Sequence, residues 1–305
     1  MQTNEIPFIS NIELTSLCNY DCPICVSKRD ASGHMAPDTL NRIIEANRPI
    51  LKDQRIWLHH RGEPLMNPRL EESVSALSAA GAKCRFSTNG VLLTKKRIES
   101  LLATPIDAIV ISAITNSPGD YLKLRGKDNL ALVQKNIEAL QKAVSVTGSK
   151  TKLQAMCLDY GQSKKDIGEF VDYYHALSIE VSVHSFSSRV GNSRYSIHTP
   201  RTVSKESGRA VCHWPFTRLV ILCDASVTMC CYDMSARLRL GNLRDYGYSI
   251  MEFWHSPQYS EARRKHNDLR VDGPCAECSD WVYENPNFPP ERPYVQIFPP
   301  GTKYE

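Results

Sequence analysis

The sequence predicts an α/β protein, a partial (β/α)6 barrel with a small C-terminal α+β domain. Three observations lead there. Six short apolar segments alternate with helix-patterned ones through the first part of the chain, and such alternation implies a parallel sheet with right-handed crossovers. The alternating part takes roughly 190 residues, short of the roughly 250 of a closed eight-fold barrel. From Ser187 to Arg209 the composition turns to Ser, Arg, Asn and Gly, and beyond it the cysteines recur.

The elements follow in order. Phe8 to Thr15 alternates and reads as a strand. A Cys-rich loop runs from Ser16 to about Met35, and Pro37-Asp38-Thr39-Leu40 opens a helix. Arg55 to His60 reads as a strand, Leu70 to Ala80 as a helix stopped by Gly81, and Ala82 to Thr88 as a strand closed by the turn pair Asn89-Gly90. A helix at Lys95–Leu102 and a strand at Ala108–Ser112 come next. They are followed by a helix at 130–144, a strand at Lys152–Cys157, a helix at 164–175 and a strand at Glu180–Ser185. In the last third, Arg218–Cys223 and Val227–Cys231 read as a hairpin, with one helix near 250–265. The expected division is a barrel at 1–186, a linker at 187–211, a second domain at 212–282 and a Pro-rich, extended tail at 283–305.

Composition narrows the function. The chain has 305 residues, 42% hydrophobic and 23% charged, which is ordinary for a folded protein and excludes a disordered one. A net charge of +4, evenly spread, does not point to nucleic acid. No apolar run reaches the roughly 18 residues of a membrane helix. No secretory signal is visible at the start, so a reducing cytoplasm is expected. There, eleven cysteines do not read as a disulfide framework. Nine of them fall in two groups, which reads as metal binding.

Cys18, Cys22 and Cys25 are spaced C-x3-C-x2-C directly after the first strand. Three thiolates hold three corners of a [4Fe–4S] cluster and leave one iron open to a small molecule. In a parallel barrel this loop lies at the C-terminal edge, where active sites collect. The pattern resembles the radical S-adenosylmethionine (SAM) superfamily. Further motifs stand in the family's order: Gly62-Glu63-Pro64 after the second strand, Ser87-Thr88-Asn89-Gly90 ending the third, and Ser112 and Arg125 beyond it. The resemblance implies that the open iron chelates SAM and that one electron from the cluster cleaves it to a 5′-deoxyadenosyl radical. It also implies that Glu63 accepts from the SAM amino group, Ser87 and Asn89 lie on the ribose side, and Ser112 with Arg125 hold the carboxylate. Ile24 lies near the adenine, with Tyr20 close by. The alternative is a three-cysteine zinc site.

Cys212, Cys230, Cys275 and Cys278 form a second possible four-thiolate set, closed by a C-x2-C pair. By spacing alone, structural zinc is equally served. The segment resembles the SPASM and Twitch auxiliary-cluster domains. Because the further C-x5-C-x3-C run is missing, the resemblance favours Twitch, with one auxiliary [4Fe–4S] cluster. Cys231 adjoins Cys230, and neighbours on a strand face opposite ways, so one of the two ligates and family register favours Cys230. Cys84 and Cys157 read as buried fillers. So does Cys223, although Cys223 or Cys231 would serve as a hydrogen donor.

The resemblance extends to small Twitch enzymes that oxidise amino-cyclitols. It implies hydrogen abstraction from a sugar, aminoglycoside or cyclitol, with the auxiliary cluster as electron acceptor and a flavodoxin or ferredoxin-type protein as reductant. The alternatives are a redox-neutral epimerase with a Cys thiol as donor, and modification of a ribosomal peptide. The first strand begins near residue 8, leaving no expected room for a peptide-recognition domain. His59, His60 and Arg61, beside the Gly-Glu-Pro motif at the barrel mouth, are candidates to orient substrate or take a proton; the alternative is that they only support the SAM site.

Overall fold

A computed structural model describes residues 1–25, 33–185, 209–278, 281 and 295–304. The expected linker apart from its last residues, residues 279, 280 and 282 of the expected second domain, and residues 283–294 and 305 of the tail lie outside the described residues. Six parallel strands run β1 (Phe8–Ile12), β2 (Arg55–Trp57), β3 (Lys83–Thr88), β4 (Ala108–Ile114), β5 (Lys152–Asp159) and β6 (Glu180–Ser185). They pair in sequence order, each with the next, as right-handed crossovers require. The crossover helices α1 (Pro37–Leu51), α2 (Leu70–Ala79) and α3 (Lys95–Leu102) follow the predicted periodicity closely, as do α5 (Leu130–Thr147) and α6 (Lys164–Ala176). Ile43, Val74, Leu101, Ile137 and Phe170 from these helices, each at most 1% exposed, pack on one face of the sheet. Its opposite face carries Arg85, Ser87, Ser112, Gln154 and Ser182, because strand side chains alternate.

The structure adds α4 (Pro118–Arg125), which the sequence reading lacked. Pro118-Gly119 reads as a turn, yet Pro at the first helical position has the right φ and no amide to satisfy. Ser117 caps the helix by accepting from the Asp120 amide, and Gly126 ends it at φ 73°. The helix expected near 250–265 is two, α8 (Ile250–Trp254) and α9 (Pro257–Asn267). Pro257 cannot continue the first, and Ser256 caps the second.

The C-terminal unit continues the same sheet. α7 (Trp214–Thr217) leads into β7 (Arg218–Ile221), which pairs parallel with β1. β8 (Ser226–Thr228) and β9 (Arg239–Asn242) follow antiparallel, making a three-stranded meander where a hairpin was expected. The Pro-rich tail also contributes: β10 (Val295–Phe298) pairs antiparallel with β6 at the far edge. The ladder is one ten-stranded sheet, β10-β6-β5-β4-β3-β2-β1-β7-β8-β9. No helix among the described residues is long and apolar enough to cross a membrane.

The two halves are also joined by a polar contact. Asn47 of α1, 2% exposed, donates to the Tyr248 carbonyl (2.8 Å) and accepts from the Ile250 amide (2.8 Å) at the start of α8. Asn47→Ala leaves the buried Ile250 amide without this acceptor and the part-buried Tyr248 carbonyl without this donor, and is expected to cost about 1–3 kcal/mol, the penalty of the buried amide. Chemical denaturation reads this as a lower midpoint. An unchanged midpoint would mean that α1 docks on the C-terminal unit by apolar contact alone.

Candidate active site and auxiliary cysteine group

The cysteine loop leaves β1 and is braced at once by the β2 loop. The Glu63 amide donates to the Leu17 carbonyl at 2.7 Å. A Cβ on Gly62 would lie 2.3 Å from the Thr15 carbonyl oxygen and 2.5 Å from that of Leu17, so only glycine fits. On the loop's other side Gly126 faces Pro23. Within the loop the Cys25 amide closes on the Cys22 carbonyl at 2.9 Å. Ile24 packs, partly buried, against the core.

Glu63 gathers the next motif. Its carboxylate caps the short helix begun by Pro64, accepting from the Leu65 amide (3.1 Å), and takes the Thr88 hydroxyl (2.7 Å) and the Asn89 amide (2.8 Å). Burial pushes its pKa up, against these donors and the Arg125 charge, which lower it. Such a carboxylate gains from a cation. The Asn89 side chain then reaches the loop, donating to Asn19 Oδ1 at 2.7 Å. Ser87, half-buried, donates its amide to His59 Nδ1 at 3.0 Å.

Ser112 and Arg125 come together. β4 carries an irregularity between Ile111 and Ile114, and Ile114 takes φ 62°, rare for a β-branched residue. Ser112 lies in this stretch. Arg125 Nη2 donates to its hydroxyl at 3.0 Å and to its carbonyl, while Nη1 lies 3.7 Å from Cys22 Sγ. Arg125 Nε is buried with no hydrogen-bond partner. A carboxylate for an ammonium, an arginine with an unused buried donor for a carboxylate, and three thiolates between them form a donor set that fits SAM on a cluster. Tyr20 sits differently from the expected cofactor contact. It is 2% exposed, its hydroxyl accepts from Asn129 (2.8 Å) and meets that of Tyr121 (3.3 Å), and it braces the loop from below.

The second cysteine group assembles as the spacing suggested. Burial first, then Cys231, Cys212 and Cys278, push the Cys230 thiol well up; burial, Cys278 and Cys212 push Cys275 up to about 12. Among the described residues no three His, Cys, Asp or Glu side chains converge on one metal ion. Four thiolates serve either one zinc ion or the separate irons of a cluster. Cys230 Sγ accepts from the Tyr232 amide at 3.4 Å. Cys230 and Cys231 both pack against Trp214 and Tyr232, and Cys231 also meets Val220, Leu222 and Ala236; both follow the end of β8 at Thr228, so strand alternation does not separate them.

His60, Arg61 and Cys223 are not open groups at a barrel mouth. Arg61 is fully buried and clamps Glu13, with Nε 2.9 Å from Oε1 and Nη2 2.6 Å from Oε2. Glu13 also accepts the Arg61 amide (2.9 Å) and the Cys223 amide (3.2 Å). Burial alone would raise Glu13, but Arg61 and His60 hold it below the usual carboxylate range. The His60 ring, with its side chain 1% exposed, lies against the Cys231 carbonyl. Cys223 is 4% exposed, with its thiol pushed up to about 11, first by burial. Glu13 itself escaped the sequence reading, although an acid between Ile12 and Leu14 at the end of a core strand was the available signal. Cys84 and Cys157 are buried, as expected.

Comparison with known proteins agrees with this geometry. A model of the radical SAM superfamily matches residues 12–174, and one of the SPASM iron–sulfur cluster-binding domain matches residues 212–279. The chain belongs to the radical SAM superfamily. It is a radical SAM enzyme with a SPASM domain, using SAM and two iron–sulfur clusters. It is 32% identical over 120 residues to the S-adenosyl-L-methionine-dependent 2-deoxy-scyllo-inosamine dehydrogenase of Niallia circulans, 38% of this chain and 47% of that one. It is 29% identical over 103 residues to the tungsten-containing aldehyde ferredoxin oxidoreductase cofactor-modifying protein of Pyrococcus furiosus, 33% of this chain and 29% of that one. These alignments thus span less than half of either relative. In fold it is similar to BtrN in complex with AdoMet and 2-DOIA (TM-score 0.57, 19% identity, 98% of this chain and 100% of that one). It is also similar to Streptococcus suis SuiB bound to precursor peptide SuiA (TM-score 0.68, 16% identity, 90% and 70%).

Two outcomes are expected. If the buried Glu63 carboxylate receives the SAM ammonium, as the resemblance implies, Glu63→Gln should weaken SAM binding roughly 10- to 100-fold, the worth of a charge-assisted hydrogen bond of about 1.5–3 kcal/mol. Equilibrium binding to the iron-loaded protein measures it; unaltered affinity would remove Glu63 from the site. Anaerobic reconstitution should give about eight irons per chain, falling to about four in Cys18/Cys22/Cys25→Ala. Zinc in place of the remaining four would make the second site structural.

Proposed function

We propose that this enzyme oxidises a C–H-bearing alcohol of a small polar substrate, a sugar, aminoglycoside or cyclitol, to a carbonyl. Cys212, Cys230, Cys275 and Cys278 would hold a single auxiliary cluster of the Twitch kind, which would supply an acceptor for the surplus electron. The observation that carries this is the fold match with BtrN. It runs over essentially the full length of both chains, and the BtrN structure carries a small ligand beside AdoMet. The partial identity to the Niallia dehydrogenase supports the same reading.

Bound over the cysteine loop, SAM supplies radical chemistry able to remove a hydrogen atom from carbon. The chain's own residues do the rest. Cys18, Cys22 and Cys25 leave the fourth iron open, Glu63 receives the ammonium, Ser112 and Arg125 receive the carboxylate, and Asn89 stands on the ribose side. The balance is one hydrogen atom, one proton and one electron lost by the substrate for each carbonyl formed. A flavodoxin or ferredoxin-type protein in the cytoplasm would supply the reducing electron.

Selectively deuterated amino-cyclitols and aminoglycosides test the proposal. The expected result is deuterium in 5′-deoxyadenosine and a product lighter by the two hydrogens lost. A product of unchanged mass that takes up solvent deuterium would instead establish epimerisation. Turnover of peptides alone would overturn the small-substrate reading.

A further inference from the structure

We propose that His60 is a positioning residue for the auxiliary cluster, holding and polarising the one peptide unit whose N–H donates to the sulfur of Cys230. The Cys231 carbonyl and the Tyr232 amide belong to the same planar peptide. At the carbonyl end of that unit, His60 Nε2 lies 3.2 Å from the Cys231 oxygen. At its amide end, the Tyr232 nitrogen lies 3.4 Å from Cys230 Sγ. A carbonyl only accepts, so Nε2 carries the proton and the imidazole is the donor. A donor on a carbonyl strengthens the N–H of its own amide, since linked hydrogen bonds polarise one another. Hydrogen bonds to cluster sulfurs are among the terms that set an iron–sulfur potential.

The ring has little freedom to do anything else. Its side chain is 1% exposed, and Nδ1 stands 3.8 Å from Glu13 Oε1, beyond hydrogen-bond range. Its backbone lies next to Arg61, which is clamped to Glu13, and two residues before Gly62, which lies against the chain at 15–17. The peptide it holds belongs to a loop fixed from within by Asp233. That buried carboxylate accepts from the Thr228 hydroxyl (3.0 Å) and the amides of Arg237 (2.9 Å) and Leu238 (2.8 Å). A residue from the SAM-binding half therefore reaches the second cluster's ligand through a single peptide. This pairing also favours Cys230 over Cys231 as the ligand, on which the inference rests.

The test uses the full chain carrying Cys18/Cys22/Cys25→Ala, so that only the auxiliary cluster is loaded. Its midpoint potential and EPR spectrum are read during redox titration. His60→Phe keeps the bulk and loses the donor; the potential should fall and the g-values shift, with about four irons retained. His60→Gln places an amide N–H near the former Nε2 and should restore both. Tyr232→Pro deletes the amide itself and should lower the potential at least as far, which keeps the test open if His60→Phe does not assemble. An unchanged potential in His60→Phe at equal iron, or a His60→Gln shift as large as that of Phe, would overturn the inference. The ligand assignment is read separately: iron kept by Cys230→Ala but lost by Cys231→Ala would overturn that assignment and the inference with it.

Discussion

Glu13 and Arg61 are charged groups shut off from water, and much of the molecule is arranged so that neither is left alone. A buried ion is costly unless its partner and remaining hydrogen bonds are supplied. Here the carboxylate takes three donors from Arg61 and one from the Cys223 amide. Those donors come from the β2 loop and from the chain just after β7, while the acceptor follows β1. The pair therefore ties the start of the cysteine loop, the Gly62-Glu63-Pro64 motif and the first strands of the C-terminal unit. Losing either partner would strand a charge at that junction.

The same constraint explains what the sequence made legible. Strand–helix rhythm was readable because helices over a parallel sheet bury one face and repeat their periodicity; Lys95–Leu102 and Glu180–Ser185 fall where the pattern put them. The cysteines were readable because their spacing is local. Glu13 was not, since its partner lies forty-eight residues away and an isolated acid in a strand reads as a solvent-facing position. For the same reason His60 and Arg61 were taken for exposed mouth residues: nothing local announced that a later strand would cover them. α4 was hidden by Pro118-Gly119, and β10 by the prolines around it.

Glu63 and Arg125 set opposite buried charges beside the cysteine loop. The carboxylate is buried and held by neutral donors, so its affinity for a proton or another cation is enhanced. The guanidinium leans on a thiol and a serine, neither of which neutralises it fully. Two opposite, incompletely satisfied groups on either side of a cysteine loop suit a zwitterion better than a neutral ligand.

The shared ladder between β1 and β7 has a consequence for how the two domains are inherited. A module attached by a flexible tether can be lost, swapped or expressed alone. Here the second domain is stitched into the first by main-chain hydrogen bonds. Shearing it away would bare a flank of β1, a ready template for pairing with another chain. The auxiliary cysteines therefore belong to a unit whose strand covers that flank of β1, and evolutionary change in one half is felt by the other as a problem of folding before it is felt as one of chemistry.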